Sequence, residues 1–300
     1  MVAALAVLSA SARADDRRVN VVASMSIIGD ISRVIGGEHA VIKTLVGPDG
    51  DAHVYEPRPA DVQAVAEAQL VVSNGLGLEG WIDRLIGSAG FRGKHVIAST
   101  GIRPLTVRYD DATKLAGRAH PQSPTIDPHA WQNLTNGRIY AANIAKGLIE
   151  VDPVNAGYYE ANASAYDSVL GRLDTWVRSE LAAVPTEKRR IITTHDAFQY
   201  YGAAYGVVFL APVGISTASE PSAGDVASLV RQMRSEHIKA LFLERISDPR
   251  LMQQLARDGG AVIIGELYSD ALSAPGGPAA SYVKMFEYNT STLKRGMLEN

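Results

Sequence analysis

From Val19 onward, short runs of β-branched and other apolar residues alternate with segments whose apolar positions recur every three or four residues. Such alternation is the pattern of βαβ units and a parallel sheet. In the first half four runs read as strands: Val19 to Ala23, Val41 to Val46, Leu70 to Ser73 and His95 to Ala98. Helices are predicted between them near Ile27 to Ile35, Pro59 to Ala68 and Leu78 to Ile86. Residues 101 to 128 break the pattern with scattered Pro and Gly and no periodicity, so they read as a surface loop entering a helix near Leu134.

After Asp152-Pro153 no proline interrupts the chain until Pro185, and Tyr159, Tyr166, Val169, Leu173, Trp176, Val177 and Leu181 recur mostly at helical intervals. This predicts one helix of ~45 Å at ~1.5 Å per residue, with Gly157 and Gly171 as its weak points and Pro185 as its stop. The second half repeats the first half's plan, with strands at Arg190 to Thr194, Val207 to Leu210, Ala240 to Leu243 and Ala261 to Gly265. Its helices are predicted near Ala223 to Glu236, Pro249 to Asp258 and Pro278 to Met297. The expected fold is therefore α/β, two (β/α)4 lobes with parallel four-stranded sheets linked by one long helix. The N-terminal lobe spans residues 15–152, the linking helix 153–185 and the C-terminal lobe 186–300, without a residue-level repeat between the lobes.

Composition narrows the function. With 46% apolar and 20% charged residues and a formal charge of -3, the chain lacks the clustered Lys and Arg that phosphate contacts require, so nucleic acid is not an expected partner. Residues 1–14 end in Ala12-Arg13-Ala14 after a short apolar run, the small-x-small form of a signal-peptidase site, although a basic n-region is missing. Read as a signal-peptide remnant, they imply export and a periplasmic location; the alternative is a plain Ala-rich terminus. No later stretch approaches the ~18–20 apolar residues of a membrane span. The chain has no cysteine, so a metal site must use nitrogen and oxygen ligands.

Three histidines and an aspartate stand where strands hand over to loops, the position where open α/β sheets bind ligands. His53 lies in Asp51-Ala52-His53-Val54-Tyr55-Glu56-Pro57, His129 in Asp127-Pro128-His129-Ala130-Trp131, and His195 in Thr193-Thr194-His195-Asp196-Ala197-Phe198. Asp270 follows the last strand in Leu267-Tyr268-Ser269-Asp270. Singly, each histidine reads more readily as structural or exposed. Together, two from each lobe would converge on the cleft between them, and three neutral imidazoles with one carboxylate satisfy the tetrahedral preference of zinc. Magnesium and calcium would need more oxygen ligands.

These segments, with Glu220-Pro221-Ser222-Ala223, resemble in order and over nearly the whole mature chain the motif set of cluster A-I, the zinc- and manganese-binding solute receptors of ABC transporters. The resemblance implies two lobes bridged by a rigid helix, with ligands at His53, His129, His195 and Asp270. It also implies a function: capture of Zn(II), the transported ligand, and its delivery to an ABC permease in the membrane. A histidine at the third ligand position accompanies zinc in that family, and glutamate accompanies manganese. The long His- and Asp-rich loop of many zinc receptors is absent, residues 101 to 128 holding only His120, so the AztC-like type is the nearer comparison. His120 reads as a weak auxiliary site or, more simply, as a solvated side chain.

Asp196 and Glu56 adjoin ligands and are candidates for orienting imidazoles, with helix capping an equal account of Asp196. Glu244 ends a strand facing the same cleft and is a further candidate. Trp131 and Tyr268 are expected to wall the cleft, and His39, His95 and His237 to be surface or satisfied structural residues. Four protein ligands leave no open position for a catalytic water, which argues against an enzyme. The alternatives are a zinc-dependent hydrolase with Glu244 or Asp196 as base, and a manganese receptor or adhesin of the same fold. A monomer is expected, with a metal-loading protein as a further partner. Ion release is expected to depend on the loops carrying His129 and Asp270.

Overall fold

The computed structural model describes residues 18–107, 125–218 and 220–300. The signal-peptide reading and His120 lie outside them. Each lobe is built on a four-stranded sheet whose paired strands are all parallel. In the first lobe β1 (Val19–Met25), β2 (Ala40–Val46), β3 (Leu70–Ser73) and β4 (Lys94–Ile97) lie in the order β2-β1-β3-β4. A two-stranded antiparallel ladder, β5 (Thr106–Val107) with β6 (Thr125–Ile126), stands at the two ends of the segment read as plain loop. In the second lobe β7 (Arg190–Ile192), β8 (Val208–Leu210), β9 (Ala240–Glu244) and β10 (Val262–Leu267) lie in the order β10-β9-β7-β8. Counted along the chain within each lobe, both sheets follow the same order, 2-1-3-4.

Strands buried on both faces need near-continuous apolar sequence, which is why Val19–Met25 and Leu70–Ser73 carry so few polar residues. The 2-1-3-4 order places a switch point between the first and third strands of each lobe, where the crossovers diverge and a crevice opens beyond the strand ends. In the second lobe those ends carry His195 and Glu244; in the first they carry Ser24 and Asn74.

The linking helix is Ala156–Ala182, about 40 Å at ~1.5 Å per residue. It starts later than its apolar pattern suggests because Pro153–Asn155 forms a separate 3-10 turn. Tyr159, Tyr166, Leu170, Leu173, Val177 and Leu181 form its buried stripe. Its first half is tied to the first lobe where Asn162 Nδ2 donates to the Ile35 carbonyl at 3.0 Å. Its second half is tied to the other lobe by Arg178 donating to the Ala204 carbonyl at 2.9 Å and by the Lys294–Glu180 pair at 2.9 Å.

One hydrophobic core runs unbroken from β1 and β3 through this helix to Phe198, Tyr201, Phe242 and Phe286 of the second lobe. A smaller core, including Ile192, Leu241, Met233 and Met252, fills the second sheet's other face under the helices Ala223–Ser235 and Arg250–Gly259. The Glu220-Pro221-Ser222-Ala223 segment includes the start of the first of these, where Ser222 and Asp225 exchange side-chain and backbone hydrogen bonds in a capping box. The helix Gln199–Tyr205 is short and was not anticipated; Gly206 ends it at φ 72, a backbone angle that glycine adopts without strain.

Candidate metal centre

The four side chains singled out in the sequence meet between the lobes. One donor atom from each of His53, His129, His195 and Asp270 lies within 4.8 Å of every other. His53 Nε2 is 3.2 Å from His129 Nε2 and 3.4 Å from Asp270 Oδ2, and His195 Nε2 is 3.2 Å from the same oxygen. His129 Nε2 stands 3.7 Å from Asp270 Oδ1. A tetrahedron with bonds of ~2.0–2.1 Å has edges of ~3.3–3.4 Å, so these separations suit a four-coordinate ion of zinc's size. His129, His195 and Asp270 are fully buried, and the His53 side chain is 4% exposed.

Local bonds aim the rings. Asp127 Oδ1 accepts from the His129 backbone N–H at 2.9 Å and stands 2.7 Å from its Nδ1, turning Nε2 inward. Glu244 does the same for His195: Oε1 accepts from its backbone N–H at 2.8 Å, and Oε2 is 2.5 Å from Nδ1. A carboxylate behind an imidazole fixes its tautomer and raises its basicity as a ligand. His53 has Asp51, whose Oδ1 accepts from the His53 backbone N–H at 2.8 Å while Oδ2 accepts from Thr217 of the other lobe at 2.7 Å.

Two sequence expectations therefore change. Asp196 is half-buried and accepts from the Gln199 side chain at 2.5 Å, and it makes neither a helix cap nor a ring contact. Glu56 is exposed. Their expected task falls to Asp127 and Glu244. Asp127, two residues before its histidine, was visible in the sequence as Asp-Pro-His, a spacing that lets the carboxylate reach both backbone and ring.

Asn74, at the first lobe's switch point, was not anticipated. Its Nδ2 donates to the Pro128 carbonyl at 3.0 Å, and its Oδ1 accepts from Tyr140 at 2.5 Å. Glu79 accepts from the Asn74 and Gly75 backbone N–H groups at 2.6 and 3.1 Å. The first lobe thus fills its crevice with a polar network that holds the residue before His129.

The Asp270 loop is held from both lobes. The Ser269 carbonyl accepts from Trp131 Nε1 at 2.8 Å and from Gln132 Nε2 at 2.7 Å. Asn289 holds both backbone groups of Tyr268, and Ser26 accepts from the Leu272 N–H at 2.9 Å. Trp131 is fully buried, edge-on to His129 with ring centroids 5.2 Å apart, and Tyr268 is 6% exposed. Rather than lining an open cleft, they back the site. His95 stands 2.8 Å from Ser73 Oγ, His39 packs edge-on against Tyr158, and His237 is exposed.

Charge and burial oppose each other at the centre. Burial alone would push His195 down, but Glu244 and Asp270 outweigh it and hold the ring well above its usual value. Burial alone would push Asp270 up, yet His195 and His129 hold it well below. Even so, both Asp270 carboxylate oxygens and His195 Nε2 are buried without a hydrogen-bond partner. Each such orphan costs about 1–3 kcal/mol. A cation bound among them would remove that cost.

The sequence matches the ZnuA family, described as zinc-uptake complex component A, periplasmic, over residues 21–296. The chain belongs to the ZnuA family. Relatives of similar length bear it out. It is 32% identical to the manganese ABC transporter substrate-binding lipoprotein PsaA of Streptococcus pneumoniae, over 96% of this chain and 91% of the relative. It is 34% identical to the iron ABC transporter substrate-binding lipoprotein MtsA of Streptococcus pyogenes, over 93% and 89%. The periplasmic zinc-binding protein TroA of Treponema pallidum superposes with a TM-score of 0.84 at 28% identity, over 93% of this chain and 99% of that one. As a ZnuA-family protein the chain is a metal-binding solute receptor of an ABC importer, acting outside the cytoplasm, and not an enzyme. The hydrolase alternative is thereby set aside. Among the described residues no helix is long and apolar enough to cross a membrane.

Proposed function

We propose that this receptor carries Zn(II), held by His53, His129, His195 and Asp270, and delivers it from the periplasm to its importer's permease. The observation behind this is the buried set of three imidazole nitrogens and one carboxylate at near-tetrahedral separations, with the inward atoms of His195 and Asp270 unpartnered. Borderline ions favour imidazole over the oxygen-rich sets that manganese prefers. The AztC-like type, with Asp270 as fourth ligand, remains the nearer comparison, and residues 15–152, 153–185 and 186–300 are the proposed working units. Residues 1–14 are proposed as a signal-peptide remnant, the receptor as a monomer, and a metal-loading protein as a further partner.

Calorimetric titration of metal-free protein with Zn(II) tests this reading. His53→Ala, His129→Ala and His195→Ala should each weaken binding, and Asp270→Ala should weaken it less, because water can take one position. Parent-like titration of all three histidine variants would refute the ligand assignment.

A manganese receptor is the second reading, favoured by the manganese- and iron-named relatives. A parallel Mn(II) titration separates the two. Tighter binding of manganese than of zinc, unchanged by His195→Glu, would favour it.

A further inference from the structure

The four donors are so deeply buried that the ion needs a route to them. A cleft of about 890 Å³ in the second lobe ends at His195. It runs between the Ala223–Ser235 and Arg250–Gly259 helices, against Val226, Val230 and Leu251, which pack on the core that the helices share with the sheet. Its outer lining is exposed: Ala227 on one helix, Gln254 and Asp258 on the other, and Asp248 before it. Its inner end is formed by Asp51, Thr194 and His195. Thr194 is 5% exposed and its Oγ1 has no hydrogen-bond partner.

Charge in the cleft is one-sided. Asp51, Glu220, Asp248 and Asp258 line it against a single guanidinium, Arg250, which is paired with Asp248 at 2.5 Å. A cavity lined by one sign of charge concentrates the opposite ion and raises its association rate about 10- to 1,000-fold. At ~30 Å³ per water, the volume accommodates a divalent ion with its hydration shell. We infer that this cleft is a vestibule for a hydrated divalent cation, in which Thr194 Oγ1 and Asp51 replace shell waters before the ion passes to His195. The inference rests on the proposed metal site and adds the path by which it fills.

A plug in a passage raises the barrier in both directions and leaves the end states alone, so rates change and equilibrium does not. Ala227→Trp places an indole in the cleft from an exposed helix position, away from every proposed ligand. The test mixes Zn(II) with metal-free protein in stopped flow, then measures loss of the bound ion into excess chelator. Ala227→Trp should slow uptake and loss together by about tenfold or more, with Kd unchanged. Glu220→Gln combined with Asp258→Asn should slow uptake severalfold at low salt and flatten its salt dependence.

Parent-like rates in both variants would overturn the vestibule, with the metal site intact. If Ala227→Trp does not fold, the charge variant decides alone: a parent-like uptake rate and salt dependence overturn the inference. Failure of the parent to bind Zn(II) at all would instead sink the proposed function, so the two failures are distinct.

Discussion

Glu244 grips His195 twice, its Oε1 on the backbone N–H at 2.8 Å and its Oε2 beside Nδ1 at 2.5 Å. One carboxylate at the end of β9 therefore holds the backbone of a residue that follows β7 and sets a negative charge against its ring, across the switch point of the second sheet. Glu244→Ala should lower zinc affinity about 10- to 100-fold, the usual cost of removing a group behind a ligating imidazole. Glu244→Gln should cost less, because its amide oxygen still accepts one bond. Competition against a chromogenic chelator reads both, and parent-like affinity in Glu244→Ala would refute the role.

Asn74 is the first lobe's counterpart, reaching the Pro128 carbonyl at 3.0 Å from beneath His129. Asn74→Ala leaves that carbonyl and the Tyr140 hydroxyl buried without their partner. It should destabilise the fold by about 1–3 kcal/mol and weaken metal binding as His129 loosens. Urea unfolding and zinc titration, run together, check the pair of effects; a stability loss with unchanged affinity would make Asn74 purely structural.

The loops of His129 and Asp270 were expected to move during release, but Trp131 and Gln132 both donate to the Ser269 carbonyl. The two loops are bonded as one unit. Trp131→Phe keeps most of the volume and deletes one donor, so it should cost about 0.5–1.5 kcal/mol. Adding Gln132→Leu should cost more than that again, because the carbonyl then loses both partners. Thermal unfolding of the single and double variants tests this, and strict additivity would argue against a shared acceptor.

Strand ends were legible because apolar runs that stop at a histidine or aspartate announce a site as well as a strand. Much of what lies behind those residues was not. Asn74 acts through the backbone of a distant segment, and such bonds leave no periodicity. The Gln199–Tyr205 helix is too short for a hydrophobic pattern to register. Thr193 and Thr194 read as strand, but the ladder stops at Ile192, and His195 pairs beyond it only through an isolated bridge to Val213. The metal's identity is harder still, since three nitrogens and one carboxylate accept several borderline ions.

Glu79 gives a pH signature independent of the metal. Burial raises its pKa above 4.5, only partly countered by bonds from the Asn74 and Gly75 backbone N–H groups. The folded state therefore holds this proton more tightly than the unfolded chain does. Its contribution to stability is fully present below about 4.5 and is lost as pH rises through the folded value. Relative to Glu79→Gln, the parent should lose stability across that rise. A stability difference that stays flat with pH would contradict the assignment.

Filling the centre should stabilise the fold, because the ion binds the assembled ligands and not the unfolded chain. Free zinc at about 100 times Kd should add about 2.7 kcal/mol, seen as a higher Tm that excess chelator reverses. A Tm indifferent to zinc would mean that the folded chain does not bind it in preference to the unfolded one.

The most direct test is the metal content of protein purified from the periplasm without added metal, measured by mass spectrometry beside His195→Glu. The expected result is zinc in a one-to-one ratio with the parent chain, and a marked loss of zinc in the variant. Parent protein carrying manganese in that ratio would contradict zinc as the cargo, and a variant that keeps its full zinc would contradict a centre built on His53, His129, His195 and Asp270.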